Sequence, residues 1–360
     1  MSTVLDKQTT AKTLETLAGH LRPIMPFLDQ DDVQEVMINC GDSIWIERAG
    51  KGMSKLDIAI PNDSVGAAIK SLASLNNKPT ALILDSRLPG LRIAAARTPI
   101  ALHGNAMSIR KHAKFKLTPQ HYLESGAFDI ADINDFHEAT VEEYLSPKVR
   151  RDIAKGGQAV HDFLEWMITS AQNVSITGKT TSGKTTFMRS LADFLPRTTR
   201  LFTTEDTAEL DLDLPNIVAF ESLPSSGVTM ESLVKLSLRF RPDRIWCGEA
   251  RGPEVFDILD AYNTGHAGGL LTFHAESSSL ALPRLETLLR KSDDAKNWPL
   301  EDMRRQIAAV FRFVIHCDRL SGKRGPREIL EIVDVVNGVY VTRKLFSRDP
   351  RAQAEIYLPS

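Results

Sequence analysis

Apolar and polar positions along this chain repeat with two different periods, and the change between them divides it. In the first third, Glu35-Val36-Met37-Ile38-Asn39 and Ser43-Ile44-Trp45-Ile46-Glu47 read as short strands on either side of Cys40-Gly41-Asp42, a hairpin signal. Val65, Ile69, Leu72 and Ala73 then recur at helical spacing, until Asn76-Asn77-Lys78-Pro79 interrupts them. Further strand-like runs follow at Leu91-Arg92-Ile93-Ala94-Ala95 and Ala106-Met107-Ser108-Ile109-Arg110. From about Asp129 to Gly157 the text turns charged and poorly periodic. The pattern predicts an α+β domain over 1–135, a linker over 136–156 and a second domain over 157–360.

The second half alternates helix and strand. Val160, Phe163, Leu164, Met167, Ile168 and Ala171 form one helical apolar face. Val174-Ser175-Ile176-Thr177, Leu201-Phe202-Thr203-Thr204 and Ile245-Trp246-Cys247-Gly248 are runs of the kind buried in a mostly parallel sheet. Met230 to Phe240 predicts a helix stopped by Pro242, and another opens at Pro253 and closes at Gly265. Near the end, Asn337-Gly338 joins two strand-like runs and is a strong signal for a two-residue hairpin. Such alternation implies a doubly wound α/β core.

One stretch fixes the chemistry of that core. Gly178-Lys179-Thr180-Thr181-Ser182-Gly183-Lys184-Thr185 spells G-x-x-x-x-G-K-T between a strand and a helix that starts near Thr186. Glycines let backbone N–H groups turn toward a polyphosphate, and the helix start adds positive field. Gly178, Thr180, Thr181, Ser182, Gly183, Lys184, Thr185 and Thr186 are therefore the candidate nucleotide contacts. Lys184 is expected to reach the β- and γ-phosphates of a nucleoside triphosphate, and the Thr185 hydroxyl to sit on Mg²⁺.

Composition changes this picture little. The 360 residues are 42% apolar and 25% charged, with a formal net charge of −2, which gives no global case for nucleic-acid binding. No apolar run is long enough to span a bilayer, and the first residues lack the pattern of a signal peptide. Cys40, Cys247 and Cys317 are unclustered, which suits reduced thiols in a cytosol. Any membrane role is expected to be peripheral.

Hydrolysis needs a held metal and a water whose proton has somewhere to go. Glu249 ends an apolar strand and is the candidate for polarising that water. A metal-holding Asp is missing from the same strand end, since Asp243 precedes the strand. The acidic turn Glu205-Asp206 supplies the candidate substitutes, acting partly through water. His266 and His274, flanking a glycine-rich strand-like segment, are candidates for sensing the γ-phosphate. Arg251, Arg92 and Arg110 are candidate cations for the charge that develops on it.

Taken together, these segments resemble the type II/type IV secretion ATPases, and within them the VirB-type traffic ATPases of conjugation and effector export. The text that carries the resemblance is Gly178 to Thr185 (Walker A), Thr204 to Leu210 (the Asp box), Arg241 to Gly252 (an atypical Walker B) and Gly265 to Ala275 (the His box). The resemblance implies a RecA-like P-loop ATPase domain behind a smaller N-terminal α+β domain, assembled as a homo-hexamer with nucleotide between the domains. It also implies that Arg92 and Arg110 contact phosphate, and that the chain is cytoplasmic and peripheral at the inner membrane. Its partners would be the other components of a type IV secretion or conjugation apparatus, with work spent on substrate translocation or pilus assembly. Thr181 stands where such loops often carry Gly or Ser, and no loss of binding is expected from it. Two other readings compete: a DNA-translocating RecA-like motor, disfavoured by the lack of a basic stripe interleaved with aromatics, and a nucleotide-gated scaffold with little turnover.

Overall fold

Two sheets follow from the two patterns. The computed structural model describes residues 15–76, 78–111, 141–320, 323–349 and 351. The first sheet is six-stranded and antiparallel, built from β1 (Val33–Cys40), β2 (Ser43–Arg48), β3 (Gly52–Lys55), β4 (Ile83–Leu88), β5 (Leu91–Ala96) and β6 (Ala106–Lys111), in the order β3-β2-β1-β6-β5-β4. The expected hairpin turns at Gly41-Asp42, with Cys40 opposite Ser43. Helix α1 (Asn62–Leu75) covers one face through Val65, Ile69, Leu72 and Ala73.

The second sheet has eight strands: β7 (Val174–Gly178), β8 (Leu201–Glu205), β9 (Ile217–Glu221), β10 (Arg244–Cys247), β11 (Leu270–Phe273), β12 (Phe313–Leu320), β13 (Lys323–Val336) and β14 (Val339–Ser347). Their order is β14-β13-β12-β7-β11-β10-β8-β9, parallel from β12 to β9 and antiparallel across β12-β13-β14. The β13–β14 hairpin closes at Asn337 and Gly338, both with positive φ (52° and 72°), as its sequence predicted. Phe163, Leu164, Met167 and Ile168 of helix α3 (Gln158–Thr169) pack on one face, whereas Ile258, Leu285 and Ile307 from later helices cover the other. This is a mixed α/β fold with an N-terminal domain and a RecA-like ATPase domain.

The expected linker is partly folded structure. Residues 129–140 lie outside the described residues, but helix α2 (Pro147–Lys155) is capped by the Ser146 hydroxyl, and Leu145 and Ile153 are buried with Phe163 and Ile176 in the ATPase core. The central Arg150-Arg151-Asp152 run of this short amphipathic helix disguised its apolar contacts.

The domains meet along the outer edge of the second sheet. Ala101 bridges Phe220 of β9; Leu102 donates its N–H to the Ala219 carbonyl, and Glu221 donates to that of Ile100. Strand β5 is apolar on both faces for this reason. Ile93 and Ala95 pack in the N-terminal core, while Ala94 and Ala96 pack with Phe202 and Phe220 of the ATPase sheet. A buried polar seam lies at the amino ends of β8 and β10. There Arg200 donates to the Phe240 carbonyl (2.9 Å) and to the side-chain oxygens of Asn39 and Asn216.

Candidate active site

Parallel pairing carries the carboxyl ends of β7, β8, β10 and β11 to one sheet edge. Each of those ends leads into residues singled out by their chemistry. The phosphate loop leaves β7 at Gly178, whose φ is +153°. A Cβ there would collide with the Cys317 carbonyl of β12 and the Ser182 hydroxyl, so only glycine fits. Gly183 (φ +91°) caps helix α4 (Lys184–Ser190) in the left-handed region. Thr181 also has positive φ, +63°. A β-branched residue is strained there, by roughly 1–2 kcal/mol, so its departure from Gly is not merely a silent backbone position. The Thr180, Thr181 and Thr186 side chains are exposed, whereas Ser182 is buried with its hydroxyl unpartnered.

Lys184 is 7% exposed. Its ammonium donates to the Gly178 and Lys179 carbonyls, both at 3.1 Å, and lies 3.3 Å from His274 Nδ1. Burial lowers its pKa, opposed by the charge of Glu249. The other ring nitrogen of His274, Nε2, is 2.9 Å from Glu249 Oε1. His274 Nδ1 also lies 3.2 Å from the Gly178 carbonyl, so the two ring nitrogens link the loop to the Glu249 carboxylate.

Glu249 follows β10 and is half-buried. Burial pushes its carboxyl up, but the Arg251 hydrogen bonds and the charges of His274, Arg251 and Lys184 outweigh burial and hold it below the usual carboxylate value. Arg251 grips both of its oxygens (Nε–Oε1 2.8 Å, Nη2–Oε2 3.0 Å) and reaches Asp206 through Nη1 at 3.0 Å. Asp206 also accepts from the Ser222 hydroxyl at 2.9 Å. Glu205 ends β8 and is 3% exposed; burial raises its pKa, countered by the Glu209 and Leu210 N–H groups that donate to Oε1 at 3.0 and 2.9 Å. A cavity of about 100 Å³ lies between them, lined by Thr185, Glu205, Asp206, Thr207, Glu209, Gly248, Glu249 and Arg251.

These contacts suit a magnesium nucleotide. The side chains facing the cavity are mainly oxygen donors, as a hard cation prefers. Among the described residues, the one set of three His, Cys or carboxylate ligand atoms gathered within 4.8 Å is the exposed His161, Asp162 and Glu165 of helix α3, none of which lines this cavity. The cavity therefore offers a metal one or two protein oxygens and leaves other positions to phosphates and water, the usual arrangement for Mg²⁺.

Three expected residues do not join this cluster. His266 precedes β11 and His274 follows it, so the strand puts them at opposite edges of the sheet; His266 Nδ1 faces the Ala261 carbonyl at 3.3 Å. Arg92 pairs with Asp85 at 3.4 Å, and Asp85 also meets Arg239, which leads into the amino end of β10. Arg110 is exposed on β6, paired in register with Glu35, whose carboxyl feels the charge of Arg200 in the buried seam. Both arginines thus group with the amino ends of β8 and β10, and among the described residues neither bonds to the phosphate loop. Sequence reading missed Glu254, which accepts the Arg251 and Gly252 N–H groups (2.6 and 2.7 Å), Ser222, and Lys291, which donates to the Arg251 carbonyl at 2.6 Å. Only Glu254 had a signal: an acid in the first turn after Gly252-Pro253.

A glycine-rich loop between parallel strands, with acidic strand ends and a histidine beside the invading lysine, defines a P-loop ATPase domain. The family model described as Type II/IV secretion system protein matches residues 151–339, more than half of the chain, and the chain belongs to that family of secretion ATPases. It is 28% identical over 324 residues to the type IV secretion system protein PtlH homolog of Bordetella bronchiseptica, covering 87% of this chain and 93% of that one. The type IV secretion system protein VirB11 of Brucella suis is 29% identical over 329 residues, covering 87% and 88%. The crystal structure of the VirB11 ATPase from the Brucella suis type IV secretion system, in complex with sulphate, superposes with a TM-score of 0.77 at 27% identity, covering 92% of this chain and 98% of that one. No helix among the described residues is long and apolar enough to cross a membrane.

Proposed function

We propose that this chain hydrolyses ATP as one subunit of a homo-hexameric ring, the motor of a type IV secretion apparatus at the cytoplasmic face of an inner membrane. The observation that carries the reading is the meeting of Lys184, Thr185, Glu205, Glu249 and His274 at one sheet edge. In this reading the loop N–H groups and Lys184 bind the β- and γ-phosphates. Thr185, with Glu205 or Asp206 partly through water, holds Mg²⁺, which when bound neutralises charge on those phosphates. Glu249 orients a water and takes its proton as the water oxygen bonds to the γ-phosphorus. The bond from that phosphorus to the bridging oxygen breaks, and the electron pair leaves on ADP. Lys184 and His274 steady the developing charge.

Arg92 and Arg110 act in trans in this proposal. Each lies with the far edge of its own chain's sheet, so a neighbouring subunit's N-terminal domain is the source of phosphate-binding arginines. Rigid-body motion of that domain then turns hydrolysis into work on export substrates or pilus subunits. The ring docks on other secretion components and touches the membrane peripherally; direct DNA binding is not part of the reading.

Mixing tests this. Lys184→Gln subunits keep their arginines, and Arg92→Ala/Arg110→Ala subunits keep their loops. Both are expected to be inactive alone. An equimolar mixture should regain up to about a quarter of wild-type turnover, because a head-to-tail ring completes some sites across mixed interfaces. A mixture as inactive as its parts overturns the action in trans, and a mass showing no six-subunit species with ATP and Mg²⁺ overturns the ring.

A further inference from the structure

The carboxylate assigned to activate water is already held on both oxygens in this structure. Oε1 of Glu249 accepts from Arg251 Nε and His274 Nε2, and Oε2 accepts from Arg251 Nη2. These three donors leave a water only the second acceptor site of Oε2, the guanidinium charge lowers the basicity of the whole group, and bidentate pairs are the stronger ion pairs. The guanidinium is simultaneously fastened to Asp206.

Arg251 is nevertheless built to let go. Its backbone is pinned on both sides, the N–H by Glu254 and the carbonyl by Lys291. Its side chain is 63% exposed. It is the one basic side chain among those lining the cavity, which also include the carboxyl groups of Glu205, Asp206, Glu209 and Glu249. A γ-phosphoryl group entering there brings more negative charge than a carboxylate and three oxygens in place of two.

We infer that Arg251 is a substrate-operated cap. It clasps Glu249 until a nucleoside triphosphate arrives, then transfers its fork to the γ-phosphate and leaves Glu249 free to take up the attacking water. A diphosphate lacks the group that draws the arginine away, so after phosphate release the cap closes again. The inference rests on the reading that Glu249 is the base. It adds a regulation to that site: the base is exposed only while there is something to hydrolyse. No bond to phosphorus changes in this step; one ion pair is exchanged for another.

The test is a double-substitution cycle read by binding, not turnover. In the full chain with Mg²⁺, the affinities of ADP and of a non-hydrolysable ATP analogue are measured for wild type, Glu249→Gln, Arg251→Ala and the pair. The exposed arginine can be replaced without opening the core. Glu249→Gln loosens the clasp, so the analogue should bind about fivefold more tightly than to wild type. In the Arg251→Ala background the same change should alter the affinity less than about twofold, since there is no clasp to loosen. Arg251→Ala should weaken the analogue and leave ADP nearly unchanged. An equal gain from Glu249→Gln in both backgrounds would mean simple relief of charge repulsion, and would overturn the exchange. So would equal weakening of ADP and analogue by Arg251→Ala. Failure of the base assignment is read separately, as full turnover in Glu249→Gln, and leaves the binding cycle to report on the clasp.

Discussion

The two edges of the eight-stranded sheet hold similar polar side chains under opposite regimes. At the carboxyl edge, Arg251, His274 and Glu249 are 63%, 39% and 24% exposed and share one another's hydrogen bonds. At the amino edge, Arg200, Asn39 and Asn216 are 1%, 3% and 0% exposed and bond to one another, with Arg200 Nη2 left unpartnered among the described residues. Partial solvation keeps charged groups exchangeable, because water can cover whichever partner is released. Full burial removes that option, so each group must keep its bond or leave a polar atom stranded. The first edge is fit to meet a ligand and the second to fix where the N-terminal domain sits.

Substitutions should therefore separate cleanly by edge. The largest effect is expected for Lys184→Gln, which removes the ammonium that reaches the phosphates. Turnover should fall at least about a hundredfold. Retained hydrolysis would mean that the loop is not the nucleotide site. Next comes Arg200→Ala, which strands the side-chain oxygen of Asn39 and the Phe240 carbonyl, while Asn216 keeps its bond from the Asn39 amide. Urea unfolding should show a loss of about 3 kcal/mol, with nucleotide affinity of the folded protein unchanged. A larger effect on affinity than on stability would erase the division between the edges.

A smaller effect is expected beside that seam. Glu35 is buried and accepts from the Ser108 hydroxyl; burial raises its pKa, while that hydrogen bond and the charges of Arg200, Arg110 and Arg241 pull the other way. The folded state therefore binds this proton more tightly than the unfolded chain. Its contribution to stability is complete below the ordinary carboxyl range and is lost as pH rises through the raised value. Glu35→Gln should be more stable than wild type at neutral pH, by up to about 1 kcal/mol, with the gain vanishing on acidification. Unfolding midpoints at several pH values would check the sign, and a gain that grew on acidification would contradict it.

Local signals in the chain carried much of this. The loop at 178–185, the turns at Gly41-Asp42 and Asn337-Gly338, and the acids after β8 and β10 each depend on neighbours in sequence, and each lies where its pattern predicts. Pairings between distant segments were hidden. Nothing in Ile217-Val218-Ala219-Phe220-Glu221 announces that Ala101 will bridge it. Nor does periodicity say that β12 will lie beside β7, bringing Cys317 against Gly178. His266 was misjudged for a related reason: it shares a motif with His274, but a strand runs between them and carries them to opposite edges. Alternation reports which face a residue takes, whereas strand order and direction decide which side chains meet.

The central claim is that ATP is split in the cavity at the carboxyl edge by a water activated at Glu249. Parallel measurements of ATP binding and steady-state hydrolysis on Glu249→Gln test it most directly. Binding at least as tight as wild type, with turnover reduced by roughly a hundredfold or more, is the expected result. Hydrolysis at the wild-type rate with intact binding would contradict it.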